Sequence, residues 1–296
     1  MPKVSVVIPT YNRKEKLRRL LNSLKKSTYR DFEIIVVDDA STDGTDEMIK
    51  NEFPEVIYIR HETETLVWKS RNDGIIASSG EIVFMVDDDN VVDPNAIEKI
   101  VKDFDKINDA GVIAPITCYY SKPDTIMYAG TIYTKYMRRT KYLYVNRKCE
   151  EINGKFLEVD GVANSFALRR DLALKAGLIP QKIPFNGEDG YLQYKIKKMG
   201  YKIIVDGSAK VYHDHEGSKG YNQMRYYYAL RSKITFHMDL DEGLQKFTFL
   251  LSLPIYVGYY SYNAIKQRNW GGLKAVFEGT LDGLLKRYNL KYIKTK

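Results

Sequence analysis

The stretch VFMVDDDN at residues 83–90 decides the fold, because four apolar residues are followed at once by three aspartates. A short unbroken apolar run is typical of a strand that is covered on both faces. The aspartates at 87–89 then leave the carboxyl end of that strand, where open α/β sheets bind ligands. Adjacent carboxylates repel one another, so the run indicates a divalent cation with a phosphate co-ligand. The alternative is a helix cap, but Asp93 before Pro94 is enough to cap the helix that follows.

Alternating strand and helix segments precede this stretch. The predicted strands lie at 4–8, 32–37 and 56–59, and the predicted helices at 66–77 and around the leucines at 17, 20, 21 and 24. This alternation predicts an α/β fold whose sheet is largely parallel and joined by right-handed crossovers.

The loops that follow these strands carry the chemistry. Parallel neighbours bring their carboxyl ends to one edge, so we expect Asp38 and Asp39 to meet the aspartates at 87–89 there. A carboxylate accepts hydrogen bonds from a base or a ribose, and Tyr11 offers a ring for stacking. Solvated turn acids are the plainer alternative for any one pair, but three converging loops favour a nucleotide site. The chain has neither the glycine-rich dinucleotide motif nor the Walker motif.

Three segments together resemble the GT-A glycosyltransferases of family 2 in order and spacing. They are VSVVIPTYNR at 4–13, VVDDASTDGT at 36–45 and FMVDDDN at 84–90. The resemblance implies a Rossmann-like GT-A fold with a mixed, mostly parallel sheet flanked by helices. It also implies an inverting transferase that uses Mn²⁺ or Mg²⁺ and a UDP-, GDP- or dTDP-linked sugar. Membrane-associated rhamnosyl- and mannosyltransferase-like members are the most similar in character.

The resemblance assigns roles by position. A base pocket is implied for Pro9, Tyr11, Arg13 and Asp39. Asp88 would hold the ribose, Asp87 and Asp89 would belong to the metal motif, and Arg71 would lie near the diphosphate. The segment HETETLVWK at 61–69 departs from the small Asn/Gly-rich loop of many members, so no contact is carried over for it.

An acidic pair, Glu188 and Asp189, opens a predicted helix in the second half of the chain. By itself the pair could simply complement the helix dipole. An inverting transfer, however, needs a carboxylate that takes the proton of the acceptor hydroxyl. Family members have an acidic pair here, which implies that Asp189 is the base and that Glu188 lies beside it near the acceptor.

A histidine motif, His213-Asp214-His215, follows the last predicted strands at 202–205 and 209–212. Residues two apart on a strand point to one side, which suits one metal ion or one diphosphate. By resemblance His213 is the predicted metal ligand, and His215 is the alternative.

The C-terminal quarter is basic. From residue 222 onward there are 12 Lys/Arg against 5 Asp/Glu, a net charge of +7, whereas the first 221 residues carry only +1. This asymmetry weighs against nucleic-acid binding by the whole chain. We therefore divide the chain into a catalytic domain at 1–221, with nucleotide and acceptor halves at 1–116 and 117–221, and a helical extension at 222–296.

Residues 247–265 of this extension contain no charged residue. Pro254, Gly258, Asn263 and four tyrosines disfavour a membrane span, while the flanking Lys, Arg and Trp residues favour a helix lying in the membrane interface. A dimer contact, core packing or a true span are the alternatives. A helix over 221–237 is predicted to leave Arg225, Arg231 and Lys233 exposed.

These features predict a peripheral enzyme on the cytoplasmic face of the cell membrane. Cys118 and Cys149 form neither metal-ligand spacing nor a disulfide framework, and the N-terminus runs straight into a strand without a signal peptide. The expected reaction is non-processive transfer to a lipid-linked or other glycan acceptor, since QMRY at 223–226 only loosely resembles the motif of processive synthases.

Two other functions stay open from sequence. DDDNVV at 87–92 also fits the nucleophile loop of haloacid-dehalogenase-like phosphatases, although that leaves Asp38, Asp39 and the acidic pair without roles. The third possibility is a nucleotide-sugar-binding protein without catalytic activity.

Overall fold

The computed structural model describes residues 2–214 and 222–292. The strands are β1 (Val4–Thr10), β2 (Phe32–Asp38), β3 (Ile57–Arg60), β4 (Ile82–Val86), β5 (Asn90–Val92), β6 (Ala110–Tyr119), β7 (Lys122–Tyr128), β8 (Thr131–Tyr133), β9 (Thr140–Tyr142), β10 (Phe156–Glu158), β11 (Ser165–Arg169) and β12 (Lys202–His213). The helices are α1 (Lys14–Leu24), α2 (Thr45–Glu52), α3 (Val67–Ala77), α4 (Ala96–Lys106), α5 (Arg170–Lys175), α6 (Glu188–Lys198), α7 (Gln223–Leu240), α8 (Gly243–Lys266) and α9 (Trp270–Leu284).

One mixed sheet organises the chain from β1 to β12, in the order β10-β12-β6-β11-β4-β1-β2-β3. Strands β3, β2, β1 and β4 run parallel, and so do β6 and β12. Strand β11 lies antiparallel between β4 and β6. The predicted mixed sheet flanked by helices is confirmed, and the carboxyl ends of β1, β2 and β4 lie at one edge.

The apolar strands are buried because helices cover both faces of the sheet. On β1, Val6 and Ile8 belong to the same buried cluster as the leucines of α1, whereas Val7 belongs to the opposite cluster with Ile75 of α3. Successive residues of a strand point to opposite faces, so an unbroken apolar run fills both layers. This arrangement fixes the strand ends that carry the acidic loops.

Strand β12 corrects the prediction of two short strands at 202–205 and 209–212. The structure has one strand with an irregularity between Asp206 and Lys210. Polar residues interrupt the apolar pattern there because the strand bulges. At Gly207 an added Cβ would lie 1.9 Å from the carbonyl oxygen of Ile152, so only glycine fits this close approach.

Helices α7, α8 and α9 form the C-terminal part. Arg231 of α7 was predicted to be exposed, and that prediction is wrong, since its side chain is fully buried. Its guanidinium donates to the carbonyl oxygens of Asn289 at 2.8 Å and Lys182 at 3.3 Å and lies over the ring of Tyr228. The sequence pattern placed Arg231 on the polar side of α7, but other segments cover that side too. In the described ranges, no helix has the length and apolar character to cross a bilayer.

A buried ion pair joins the β8–β9 loop to the end of α7. The Arg138 guanidinium donates two hydrogen bonds to the Asp241 carboxylate, each at 2.8 Å, and both side chains are buried. His237 lies 2.9 Å from the same carboxylate. Breaking a buried pair leaves one charge without a partner, which is strongly destabilising.

We predict that Arg138→Ala lowers the free energy of unfolding by about 3–5 kcal/mol, measured by denaturant titration. The matched control is Arg147→Ala, because Arg147 pairs with Glu151 at 2.8 Å on an exposed surface. Exposed pairs contribute little, so the control should stay close to the unsubstituted chain. Equal losses in both variants would contradict the prediction.

Candidate active site

Three loops meet at the carboxyl edge of the sheet. The Asp39 amide donates to the carbonyl oxygen of Thr10 at 2.9 Å, and the Thr10 hydroxyl donates to Asp88 at 2.8 Å. The Asn12 amide donates to the Ser41 hydroxyl at 2.8 Å. Backbone and side-chain hydrogen bonds therefore bring together the loops that the sequence predicted to converge.

Arg13 lies across two of the three aspartates. Its Nη1 is 3.0 Å from both Asp88 Oδ1 and Asp89 Oδ2. Burial raises the pKa of Asp88 to about 6, although the Arg13 charge opposes that rise. Of the other residues assigned to the base pocket, Pro9 lies opposite Val37 in the sheet. Tyr11 is 38% exposed, which leaves its ring open to a ligand.

Asp39 is almost completely buried and holds the segment at 61–66. Its carboxylate accepts hydrogen bonds from the Thr65 amide at 2.8 Å and the Leu66 amide at 2.8 Å. The Thr65 hydroxyl at 2.7 Å and His61 Nδ1 at 2.8 Å also reach it. Burial would raise the pKa of Asp39, but the bonds from His61 and Thr65 outweigh it and keep the pKa below the ordinary value.

Asp89 and His213 form a candidate metal pair. His213 Nε2 lies 3.1 Å from Asp89 Oδ1, because the short β5–β12 ladder pairs His213 with Asn90. A carboxylate oxygen and an imidazole nitrogen suit Mn²⁺, so these donors fit the implied ion. Within 2–214 and 222–292, no group of three His, Cys, Asp or Glu side chains is arranged to hold a metal. His215 lies outside the described residues.

Arg71 links the first aspartate of the run to the acidic pair. Its Nη2 is 2.8 Å from Asp87 Oδ1, and its Nη1 is 2.6 Å from Glu188 Oε1 and also pairs with Asp189. Burial raises the pKa of Asp189 well above the ordinary value, while the Arg71 charge opposes this effect. The structure thus places Arg71, predicted near a diphosphate, between Asp87 and the candidate base.

Glu188 keeps one carboxylate oxygen without a partner. Glu188 is buried, and among the described residues no donor reaches its Oε2. Buried polar atoms are nearly always hydrogen-bonded, so such an atom indicates a place for a ligand or a water. A ligand hydroxyl would satisfy it.

Neighbouring elements fix the start of α6. Asn72, next to Arg71, exchanges two hydrogen bonds with the backbone of Ile179, at 2.8 and 3.0 Å. The Ser232 hydroxyl of α7 donates to the carbonyl oxygen of Phe185 at 2.7 Å. Gly187 precedes the helix with a φ of +116°, a conformation that favours glycine.

Sequence reasoning missed two sets of residues in this site. It did not assign Thr65 and Leu66 to Asp39, because a backbone amide gives no signal in a residue pattern. It also missed that Asn90 and Asn164 exchange hydrogen bonds at 2.8 Å, which pins the aspartate loop to β11. The Asp87 amide donates to the carbonyl oxygen of Asn164 at 2.9 Å as well.

We predict that Arg71→Met lowers the free energy of unfolding by about 3–5 kcal/mol, because the buried carboxylates of Glu188 and Asp189 and the half-buried carboxylate of Asp87 lose their cation. Adding Glu188→Gln and Asp189→Asn to this variant should restore part of the loss, measured by denaturant titration as a mutant cycle.

Arg170→Met is the matched control for the Arg71 cycle. Arg170 donates to the carbonyl oxygens of Ile75 and Ile76, each at 3.2 Å. Losing such bonds should cost only about 1 kcal/mol. A triple variant no more stable than Arg71→Met would contradict the ion-pair account.

Comparison with known proteins gives consistent matches. Residues 5–174 match the family profile described as "Glycosyl transferase family 2". "Glycosyltransferase GlyA" of Streptococcus pneumoniae is 31% identical over 226 residues, which are 73% of this chain and 31% of that protein. The "GalNAc(5)-diNAcBac-PP-undecaprenol beta-1,3-glucosyltransferase" of Campylobacter jejuni is 31% identical over 106 residues, 34% of each protein. The matches thus span about a third of the length of these two relatives.

Solved structures share the fold. The mannosyltransferase PcManGT from Pyrobaculum calidifontis, in complex with GDP-Man and Mn²⁺, superposes with a TM-score of 0.61 at 16% identity, covering 97% of this chain and 88% of that one. S. aureus TarS 1–349 gives a TM-score of 0.58 at 17% identity, covering 96% and 92%. At these identities the likeness concerns the fold alone.

Proposed function

This chain belongs to glycosyl transferase family 2 and is a glycosyltransferase with the GT-A fold, and from that premise we propose a metal-dependent, inverting, non-processive transfer. A sugar would move from a nucleotide-sugar donor to a hydroxyl group of an acceptor. The observation that carries the proposal is the Arg71 cluster, which sets the acidic pair beside the aspartate loop. The family match leaves no support for the phosphatase alternative.

The donor would bind along the three converging loops. The open ring of Tyr11 suits stacking on a base, and Asp39 and Asp88 would accept hydrogen bonds from the base and the ribose. Arg13 already bridges Asp88 and Asp89, so its charge lies where a diphosphate would approach. Among solved relatives, TarS has been seen with UDP-GlcNAc and the mannosyltransferase with GDP-Man. UDP-, GDP- and dTDP-linked sugars all stay candidates.

Asp89 and His213 would hold Mn²⁺ or Mg²⁺. When bound, such an ion supplies electrostatic stabilisation of the charge that develops on the leaving diphosphate. Asp87, assigned to the same motif, faces Arg71 at 2.8 Å, so its share in metal binding stays a prediction.

The acidic pair would perform the proton transfer. Asp189 would take the proton of the acceptor hydroxyl as its oxygen attacks the anomeric carbon from the face opposite the diphosphate, which inverts that carbon. Arg71 holds Asp189 in place, and the unpartnered Oε2 of Glu188 would accept a hydrogen bond from the acceptor.

We further propose that the extension lies on a membrane surface and that the acceptor is lipid-linked. Large apolar side chains are exposed along one side of α8, namely Leu244, Phe247, Leu251, Ile255, Tyr259, Tyr262 and Ile265. Lys246, Lys266 and Arg268 flank them, which suits anionic lipid. The Campylobacter relative is itself named for a PP-undecaprenol acceptor. A peripheral position on the cytoplasmic face follows as part of this proposal, and a homodimer contact is the alternative use of the surface.

For the base, we predict that Asp189→Asn keeps the affinity for nucleoside diphosphate with Mn²⁺ and lowers kcat by about 10²–10⁴-fold. Asparagine keeps the shape of the side chain and cannot accept the proton. Binding is measured by calorimetry and transfer by release of the nucleotide from a sugar-donor panel.

The control for the base variant is Asp171→Asn, because Asp171 is an exposed acid in the first turn of α5. It should leave kcat unchanged. Normal transfer by Asp189→Asn would show that another group is the base, and tight donor binding without transfer by the unsubstituted chain would favour the silent binding protein.

For the membrane, we predict that Ile255→Glu lowers binding to vesicles of anionic phospholipid by about tenfold, measured by co-sedimentation, because a charge enters the apolar side of α8. Ile76→Glu is the matched control, since Ile76 on α3 is 56% exposed and Ile255 is 60% exposed. If both variants bind vesicles equally well and Ile255→Glu instead dissociates a dimer, the surface joins two copies of the chain.

A further inference from the structure

The segment at 61–66 connects the candidate base pocket to the C-terminal helices. We propose that Leu66 is a positioning residue for donor binding, held by α7–α9 so that its backbone and that of Thr65 align Asp39. This inference rests on the proposed function, because it concerns the nucleotide that Asp39 would contact. It deepens that function by making the helical extension part of the donor site.

Thr65 and Leu66 set the direction of the Asp39 carboxylate. The Leu66 amide lies 2.8 Å from Oδ2, and the Thr65 amide and hydroxyl lie 2.8 and 2.7 Å from Oδ1. Two consecutive amides and a hydroxyl from one segment thus hold both oxygens. A shift of that segment would therefore turn or displace the carboxylate.

The backbone of Leu66 has an unusual conformation. It has a φ of +70° and a ψ of 163°, a conformation that a leucine rarely adopts. Such a conformation persists only where the surroundings impose it, and it commonly occurs at functional sites. At Leu66 it aims the amide at Asp39 just before α3 begins.

Packing against the C-terminal helices imposes this conformation. The Leu66 side chain is only 5% exposed and belongs to a buried cluster with residues of the C-terminal helices. The other buried members of this cluster are Tyr226, Tyr227, Tyr228 and Leu230 of α7, Ala264 of α8, and Ala275 and Val276 of α9. The side chain of Leu66 is thus anchored in the extension while its amide holds Asp39.

His61 provides the second anchor of the segment. Its Nδ1 lies 2.8 Å from Asp39 and its Nε2 lies 2.8 Å from Asp73 of α3, which also pairs with Lys69 at 2.7 Å. With one end tied to α3 and the other held by the helices, the segment has little freedom of its own. Packing of the extension therefore sets how well the pocket is preorganised for a donor.

The test compares Leu66→Ala with Leu253→Ala in the full chain. Leu253 of α8 is 8% exposed and belongs to a cluster with Ile234 and Phe249 that contains no residue of the 61–66 segment. Both variants remove the same atoms from the packing of the extension, and only one touches the segment that holds Asp39. The Kd values of UDP, GDP and dTDP with Mn²⁺ are measured by calorimetry, with Tm as the readout of stability.

We expect Tm to fall in both variants. The Kd of the preferred nucleotide should rise about tenfold in Leu66→Ala, equivalent to about 1.4 kcal/mol, and stay within about twofold in Leu253→Ala. In transfer assays the donor KM should rise while kcat at saturating donor changes little. Leu66→Met conserves the volume and should restore the Kd. If Leu66→Ala does not fold, Leu66→Cys takes its place with an expected rise of about threefold, because cysteine is smaller than leucine and is not β-branched.

An unchanged Kd in Leu66→Ala, or an equal rise in both alanine variants, would overturn the inference and leave the proposed function standing. Failure of the unsubstituted chain to bind any of the three nucleotides with Mn²⁺ would overturn both.

Discussion

The guanidinium of Arg71 is buried between Asp87 on one side and Glu188 and Asp189 on the other, and the site depends on this contact. A buried cation is costly unless carboxylates offset its desolvation, and Arg71 has three. With Asp88 and Asp89 bridged by Arg13, five carboxylates share two guanidiniums. The surplus of carboxylates over guanidiniums is a physical reason to expect a divalent cation where Asp89 meets His213.

This contact also explains how distant parts of the chain form one site. Arg71 belongs to α3, Asp87 follows β4, and the acidic pair opens α6, so one residue connects the aspartate loop to the proposed base. Helix α7 then holds the segment before α6 through Ser232 and Arg231, and Leu66 connects the extension to Asp39. The C-terminal helices therefore contact both the proposed donor side and the proposed acceptor side of the site.

The local elements could be predicted from residue patterns, because apolar runs and helical spacing directly report burial. The leucine stripe of α1 and the strand before the aspartates are examples. The convergence of the loops after β1, β2 and β4 could also be predicted, because parallel strands bring their carboxyl ends to one edge of the sheet. The pairing of Arg71 with Glu188 and Asp189 could not be predicted, since these residues lie 117 and 118 positions away and several acids were available. The exposure of Arg231 was predicted wrongly, because a helix that is covered on several sides has no polar face for a residue pattern to show. The need for glycine at position 207 could not be predicted, because it depends on the nearby carbonyl oxygen of Ile152.

The most direct test of the account is a crystal structure with Mn²⁺ and the preferred nucleoside diphosphate, with anomalous scattering used to locate the manganese. The account predicts an anomalous peak between Asp89, His213 and the diphosphate, with Arg71 still joining Asp87 to Asp189. A nucleotide bound away from the three loops, or manganese remote from Asp89, would contradict it.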